Sequence, residues 1–488
     1  MGWAANGELY YQTDGTRRNN LISNTGILKT MMKDATVEKE ARESQKRTLT
    51  ILFASLILDL LGFTVILPLM PSLLEYYHQH DKSGIYQWML EKSTAFGSFI
   101  GAPHTDRFDL VLLGGLLGAL FSFLQYLSSP ILGALSDVYG RRQLLLATMI
   151  GTLMSYGVWA ISYDFSAFLI CRIIGGLSKG NVGIVIASVT DVTNRQSRSK
   201  GMALVGIAFS LGFTFGPLIG AIFSIWGSKD ISGDSYTMFQ YPAIFSLLLS
   251  LLDVLFIALM LKETLSESKR AQSFGKGIKG ALHLINPVSI FRFDAISRIN
   301  SPDLNNLRLL GAVYFMYLFL FSGLEYSLSF LVHQRHHYTS MQQGKMYLFI
   351  GVVMALVQGT YMRRSPPGSE KKTTIMGMCA IIPGMLIIGF SSSSYMLYSG
   401  LFLYCVGAAT VVTSITTITS NYGEGDEKGK ITGIVRSLGA LARSFGPLLT
   451  CGVFWQYGAC VCYLTGGLLF AVPLILMLFI VPKEDKSA

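Results

Sequence analysis

Seven polar or charged residues stand inside long apolar runs: Asp59, Arg172, Lys179, Asn181, Glu325, Arg436 and Arg443. An ionisable group surrounded by hydrocarbon is expensive, so each should face water, a partner or a cargo. Arg172 and Lys179 are seven residues apart, two helical turns, and so project from one face roughly 10 Å from each other. Arg436 and Arg443 repeat that spacing, with Arg443 about 20 Å from the start of its run. Asp59 lies about 15 Å into its own run, at a depth comparable with Lys179. An acid and cations sharing one cavity shift each other's proton affinity; the alternative for Asp59 is a fixed ion pair that serves assembly alone. Arg436 and Arg443 have an alternative too, snorkelling or bonding to carbonyls beside the bent Gly446-Pro447. Four deep cations stand against the two acids Asp59 and Glu325. A cavity with that bias favours anions.

A second chemistry lies at the ends of the runs. Gly133-Ala-Leu-Ser-Asp137-Val-Tyr-Gly140-Arg141-Arg142 places an acid, two glycines and paired arginines in a short connection. Glycine lets the chain turn tightly, and Asp137 can pair with arginine or with a helix N-terminus. That composition suits a conformational latch; a loop that only fixes topology is the plainer alternative. Gly212, Gly216 and Gly220 stand four apart on one helix face and permit close contact, while Pro217 loosens the helix beside them. Such a helix suits a rocking interface.

Other chemistries find no support. His333, Arg335, His336 and His337 cluster, but no further ligands converge in sequence, so no metal site is expected. A pH-responsive mouth or a solvated face are the readings left. No phosphate-binding loop or Ser/His/Asp spacing occurs, so neither ATP drive, an enzyme nor a cofactor is expected. The six cysteines lie in or beside apolar runs and should pack as small apolar groups.

The elements that must position these groups are membrane spans. Of 488 residues, 51% are hydrophobic and only 14% charged, far from the usual composition of a soluble domain. Apolar runs of bilayer-crossing length fall near 49–72, 109–131, 143–163, 166–190, 202–226, 239–261, 309–332, 345–363, 373–391, 394–418, 431–455 and 460–481. An all-α integral membrane protein with twelve helices follows. The net charge of +10 belongs to loops, which argues for membrane topology and against nucleic acid. Arg141, Arg142, Arg195, Arg198, Lys200, Arg363, Arg364, Lys371, Lys372, Lys428 and Lys430 share one side. Both termini are therefore expected in the cytoplasm. Residues 1–48 read as a mobile tail without a cleavable signal, 49–261 and 309–481 as six-helix bundles, and 482–488 as a short tail. Between the bundles, 262–308 is a basic linker in which Asn286–Phe293 reads either as a short amphipathic piece on the membrane surface or as plain linker. The halves repeat faintly: Lys200 to Gly216-Pro217 lies over Lys430 to Gly446-Pro447, as in duplicated carriers.

Together Gly133–Arg142, Arg172 to Asp191, Gly206–Gly220 and Leu61–Pro71 resemble the major facilitator superfamily, in its drug:proton antiporter-like branch. More narrowly, Ser178-Lys-Gly-Asn181, Phe321–Tyr326 and Arg436–Arg443 resemble an animal tetracycline transporter-like group regarded as organic anion carriers. The resemblance implies two six-helix pseudo-repeats, spans one, four, seven and ten around a central cavity, and Asp137, Arg141 and Asp191 in a cytoplasmic latch. It also implies secondary transport of small-molecule organic anions by alternating access, with protons as the candidate coupling ion. A monomeric transport unit in the bilayer is expected, with the plasma membrane as host and an intracellular membrane as the alternative. Proton-coupled efflux of cationic or zwitterionic drugs and a non-transporting scaffold are the competing functions.

Overall fold

The computed structural model describes residues 39–481 apart from 41, 100–105, 194–197, 229–235, 268–269, 271–284, 295, 297–298, 363, 367 and 423–425. The tail up to residue 38, Arg195, Arg363, and the linker residues Lys269, Lys276, Lys279 and Arg298 lie outside the described residues, as do 482–488.

No strand occurs among the described residues. Eleven helical segments are long and apolar enough to cross a bilayer, and one of these, Gly433–Phe479, runs for 47 residues. At 1.5 Å per residue that is about 70 Å, twice what a bilayer core needs. Gly458 divides it, with φ 82° and ψ 170°, and the Cys462 thiol folds back to 3.5 Å from the Thr450 carbonyl. The segment is spans eleven and twelve, and the fold has twelve spans. The first ten are Arg42–His80, Asp106–Tyr139, Arg141–Ala160, Phe165–Val192, Arg198–Ser228, Thr237–Met260, Ser301–Arg335, Ser340–Met362, Glu370–Phe390 and Ser394–Ser420.

Several boundaries differ from the sequence reading. Span one does not end at 72: after a 3-10 turn at Leu67–Leu69 it continues helically from Met70 to His80. A further helix, Ile85–Phe99, occupies what read as an outer loop. The Gly133–Arg142 connection is helical up to Tyr139, so that Gly140 alone makes the turn between spans two and three. Span four is broken at Lys179-Gly180, between helices Phe165–Ser178 and Asn181–Val192. In the linker, Pro287–Arg292 is a short helix whose N-terminus is capped by the Asn286 side chain.

The glycine face of span five packs within its own half, while other faces of the same helix meet span eight of the other half. A Cβ on Gly212 would lie 2.5 Å from that of Leu60, and one on Gly216 2.9 Å from the Leu61 carbonyl. Thr64 seals this contact by donating its hydroxyl to the Gly212 carbonyl at 2.8 Å. Gly446 repeats the arrangement against Phe319 and Gly323 of span seven. Contact between the halves uses the opposite faces. A Cβ on Gly344 (span eight) would meet Ala221 Cβ at 2.9 Å and the Pro217 carbonyl at 3.3 Å. In the other half's mirror position, one on Gly115 (span two) would meet the Pro447 carbonyl at 3.1 Å. Tyr326 adds a hydrogen bond across the halves, donating to the Gly114 carbonyl at 2.7 Å.

Along spans five and eight the contact continues past Gly351, whose Cβ would fall on Thr214, to Ser210, which donates to the Gln358 side chain at 2.7 Å. Gly133 lies eighteen residues, five helical turns, beyond Gly115 and thus on the same face. Gly433 bears the same relation to Cys451, the residue that touches Gly115. Yet among the described residues nothing approaches within 4 Å of a Cβ on Gly133 or Gly433. Spans two and eleven are pressed together near Gly115, and the described residues show no such contact between them about 27 Å away along the helices.

Candidate functional site

The broken span four sets the polar centre. Gly180 ends the first helix at Lys179, whose freed carbonyl accepts from the Gln125 side chain at 3.1 Å. The break turns the Lys179 ammonium onto Asp59, with its nitrogen 2.7 and 2.8 Å from the two carboxylate oxygens. Both side chains are sealed, at 5% and 4% exposure. The ammonium also lies 4.7 Å from the Phe63 ring centre. Asp59 and Lys179 thus form a dry ion pair, the arrangement in which removing one partner does most damage.

Arg172 lines the same pocket as Lys179, with Phe63, Phe121, Ser155 and Tyr156. Its guanidinium lies 4.3 Å from the Phe121 ring centre, and Phe121 in turn packs against Phe63 at 5.6 Å. Its Nε has no hydrogen-bond partner among the described residues. Asn181 is wholly buried; its Oδ1 accepts from the Val182 amide at 2.9 Å and its Nδ2 is unpartnered.

The second half carries a looser set. Glu325, half-buried on span seven, accepts from the Tyr404 hydroxyl at 3.3 Å. The Tyr404 ring stacks on Phe321 at 5.3 Å. Arg443 is exposed and acts electrostatically on Glu325 and Tyr314, the latter also in reach of Arg436. The Arg436 guanidinium comes within 3.5 Å of a Cβ built on Gly183, so a second-half cation touches span four. Sequence reasoning missed one acid, Asp253 in span six, which is 2% exposed. The signal was present, a lone aspartate in an apolar run, and it makes the count of deep acids three.

The charge cluster of the expected latch is built on Arg141. Its Nη2 lies 2.6 Å from Asp137 and its Nε 3.0 Å from Asp191. Glu263, just past span six and also missed in the sequence, accepts from the Arg141 and Arg142 amides at 2.9 and 3.2 Å. A carboxylate on the first amides of span three meets the positive end of the helix dipole. Arg142 donates to the Ala258 carbonyl at 2.7 Å, tying span three to span six. Gly140 adopts φ 102°, and a Cβ there would stand 2.5 Å from Glu263 Oε2. Only glycine satisfies both conditions.

At the opposite end, His333 lies 3.8 Å from Glu75 and His336 Nε2 3.0 Å from the Ser391 hydroxyl. Arg335 reaches the Cys460 thiol at 3.3 Å. Burial, then Arg335 and His337, push His336 below the ordinary histidine value. No group of three metal-ligating side chains occurs among the described residues.

The sequence profile of the Major Facilitator Superfamily matches residues 52–447. The chain belongs to that superfamily. It is 45% identical over 438 residues to mouse major facilitator superfamily domain-containing protein 10, covering 89% of this chain and 93% of the relative. The class C tetracycline resistance protein of Escherichia coli is 22% identical over 411 residues, 83% of this chain and 89% of that one. A crystal structure of the human organic anion transporter MFSD10 (TETRAN) superposes with TM-score 0.76 at 43% identity, covering 89% of this chain and 99% of the other. Fold and relatives are those of membrane transporters rather than enzymes.

Proposed function

We propose that this protein is a secondary active carrier of amphipathic organic anions that works by alternating access of 49–261 against 309–481, joined by the linker 262–308. The observation that carries the reading is Arg172: a buried guanidinium over an aromatic ring, with an unpartnered Nε. A cation flanked by Phe121 and Phe63 suits a cargo with an anionic head and an apolar body. The similar human protein is described as an organic anion transporter, which agrees with this choice of cargo. Arg436 and Arg443 would continue the positive lining into the second half. Asn181 and Glu325 would complete the binding set with hydrogen bonds.

By the positive-inside rule the end bearing Gly133–Arg142 faces the cytoplasm, with both termini. The close approach of spans two and eleven at Gly115, far from Gly133, then fits an inward-open state. Asp137, Arg141, Arg142 and Asp191, with Glu263, would act as the latch when the inner ends of spans two and eleven meet. The transport unit is a monomer, with the plasma membrane as host. The acids Asp59, Glu325 and Asp253 favour a second reading, proton-coupled efflux of cationic or zwitterionic drugs.

Reconstituted vesicles separate the two. Uptake of radiolabelled 1-naphthalenesulfonate, a permanent anion, should fall at least tenfold in Lys179→Ala and in Arg172→Gln. Asp59→Asn should abolish any dependence of that flux on an imposed pH gradient. Uptake of organic cations with no sulfonate flux would reverse the choice of cargo.

A further inference from the structure

We propose that Asp253 is a proton-binding site that alternates with Asp59 as the partner of Lys179. This deepens the carrier reading by naming protons as the coupling ion, and it rests on that reading for direction. Asp253 is 2% exposed, and its Oδ1 has no hydrogen-bond partner among the described residues. Ser55 on span one acts on its carboxyl, and the Ser55 hydroxyl likewise has no hydrogen-bond partner among the described residues. Ser55 stands four residues before Asp59 on span one. Asp253 is therefore placed near the turn of span one that precedes Asp59, toward the Gly133 end. It lies within electrostatic reach of both Asp59 and Lys179.

The charged and titratable groups around it are few. Span one presents Asp59 and span four Lys179. Span three presents Tyr156, beside Asp59 and Arg172, and Arg142, which bonds the Ala258 carbonyl below. Span five has no titratable residue between 204 and 226. With Lys179 bound by Asp59, Asp253 has no counter-ion, and an uncompensated buried carboxylate is far costlier than the neutral acid. The trio then holds Asp59 carboxylate, Lys179 ammonium and Asp253 carboxylic acid, with no net charge.

The exchange conserves that balance. Asp253 releases its proton toward the Gly133 end, and the ammonium turns to the new carboxylate. Asp59, left without a counter-ion, takes a proton from the opposite side. The trio again carries one proton and no net charge, so neither state buries a lone ion. One proton has crossed the site, and no bond other than O–H has formed or broken. With the Lys179 backbone held by Gly176 and Gln125, the exchange needs only rotation about the four side-chain bonds that carry the ammonium.

Infrared difference spectroscopy and vesicle transport test the proposal on the full-length protein. The spectrum of wild type minus Asp253→Asn at pH 7 should contain the carbonyl band of a protonated carboxyl, which Asp253→Glu restores. In vesicles, Asp253→Asn should exchange 1-naphthalenesulfonate within twofold of wild type. Its gradient-driven accumulation should fall to the level seen without a gradient. A difference spectrum without that band, or full accumulation in Asp253→Asn, overturns the proposal. A wild type that carries no sulfonate yet shows the band upholds the proton site and refutes the anion-carrier reading alone.

Discussion

Removing one partner of the Asp59–Lys179 pair should cost far more than removing both. At separations of 2.7 and 2.8 Å and an effective dielectric of about 20, the attraction is about 6 kcal/mol before desolvation is counted. Both groups forfeit hydration when they are sealed, so most of that attraction offsets desolvation and little net stability remains. Lys179→Met strands the Asp59 carboxylate and should lower unfolding free energy by about 3–5 kcal/mol. Asp59→Asn leaves the ammonium to turn to the Asp253 carboxylate and should cost less than Lys179→Met. Asp59→Asn with Lys179→Met leaves neutral groups of similar volume and should return to within about 2 kcal/mol of wild type. The assay is reversible unfolding in mixed detergent micelles, followed by tryptophan fluorescence, for all four proteins. Salt between low and molar concentration should leave the coupling unchanged, because a buried pair is screened little. Single effects that simply add in the double variant, within about 0.5 kcal/mol, would mean the charges are not coupled and would refute the reasoning.

Phe121→Leu should weaken 1-naphthalenesulfonate uptake about threefold to thirtyfold through loss of the ring under Arg172, seen mainly in KM, since exposed-to-buried cation–π contacts are worth about 0.5–2 kcal/mol. Gly344→Val should keep the outer ends of the halves from closing, because its side chain would meet Ala221 and the Pro217 carbonyl; uptake should fall at least tenfold while reactive-cysteine labelling from outside rises at the pocket. Glu263→Gln should cost about 1 kcal/mol of stability by removing the anion at the start of span three, read as a lower unfolding midpoint with uptake still measurable. Burial tends to raise the Asp81 carboxyl, but hydrogen bonds from Ser83, Phe165 and Tyr86 outweigh it and bring it below the ordinary value. Its stabilisation is thus present above the unfolded value of about 3.9 and lost as pH falls through the folded one; Asp81→Asn should flatten that acid limb of the unfolding midpoint.

The charge cluster at the end of span two was legible because its chemistry is local. Asp137 and Arg141 are one turn apart, so a single connection carries most of its charge pattern. Glu263 escaped notice because it reaches Arg141 and Arg142 across 122 and 121 residues, and nothing in its neighbours marks that distance. Asp59 and Lys179 could be matched by depth alone, whereas bidentate contact required the break at Lys179-Gly180. The glycines of span five announced close packing without naming the partner, because helical spacing fixes a face and not what covers it.

Composition and the period of the apolar runs by themselves determined twelve spans, a faint duplication and deep cations in excess of deep acids. Those properties follow from the length of a bilayer crossing and the cost of burying charge, which act on each segment separately. Only the tertiary structure decided which acid holds Lys179, that Arg172 Nε has no partner among the described residues, and that Asp253 comes within electrostatic reach of the pair. Partnership in a helix bundle depends on which faces meet, and that is set by packing between segments far apart in the chain.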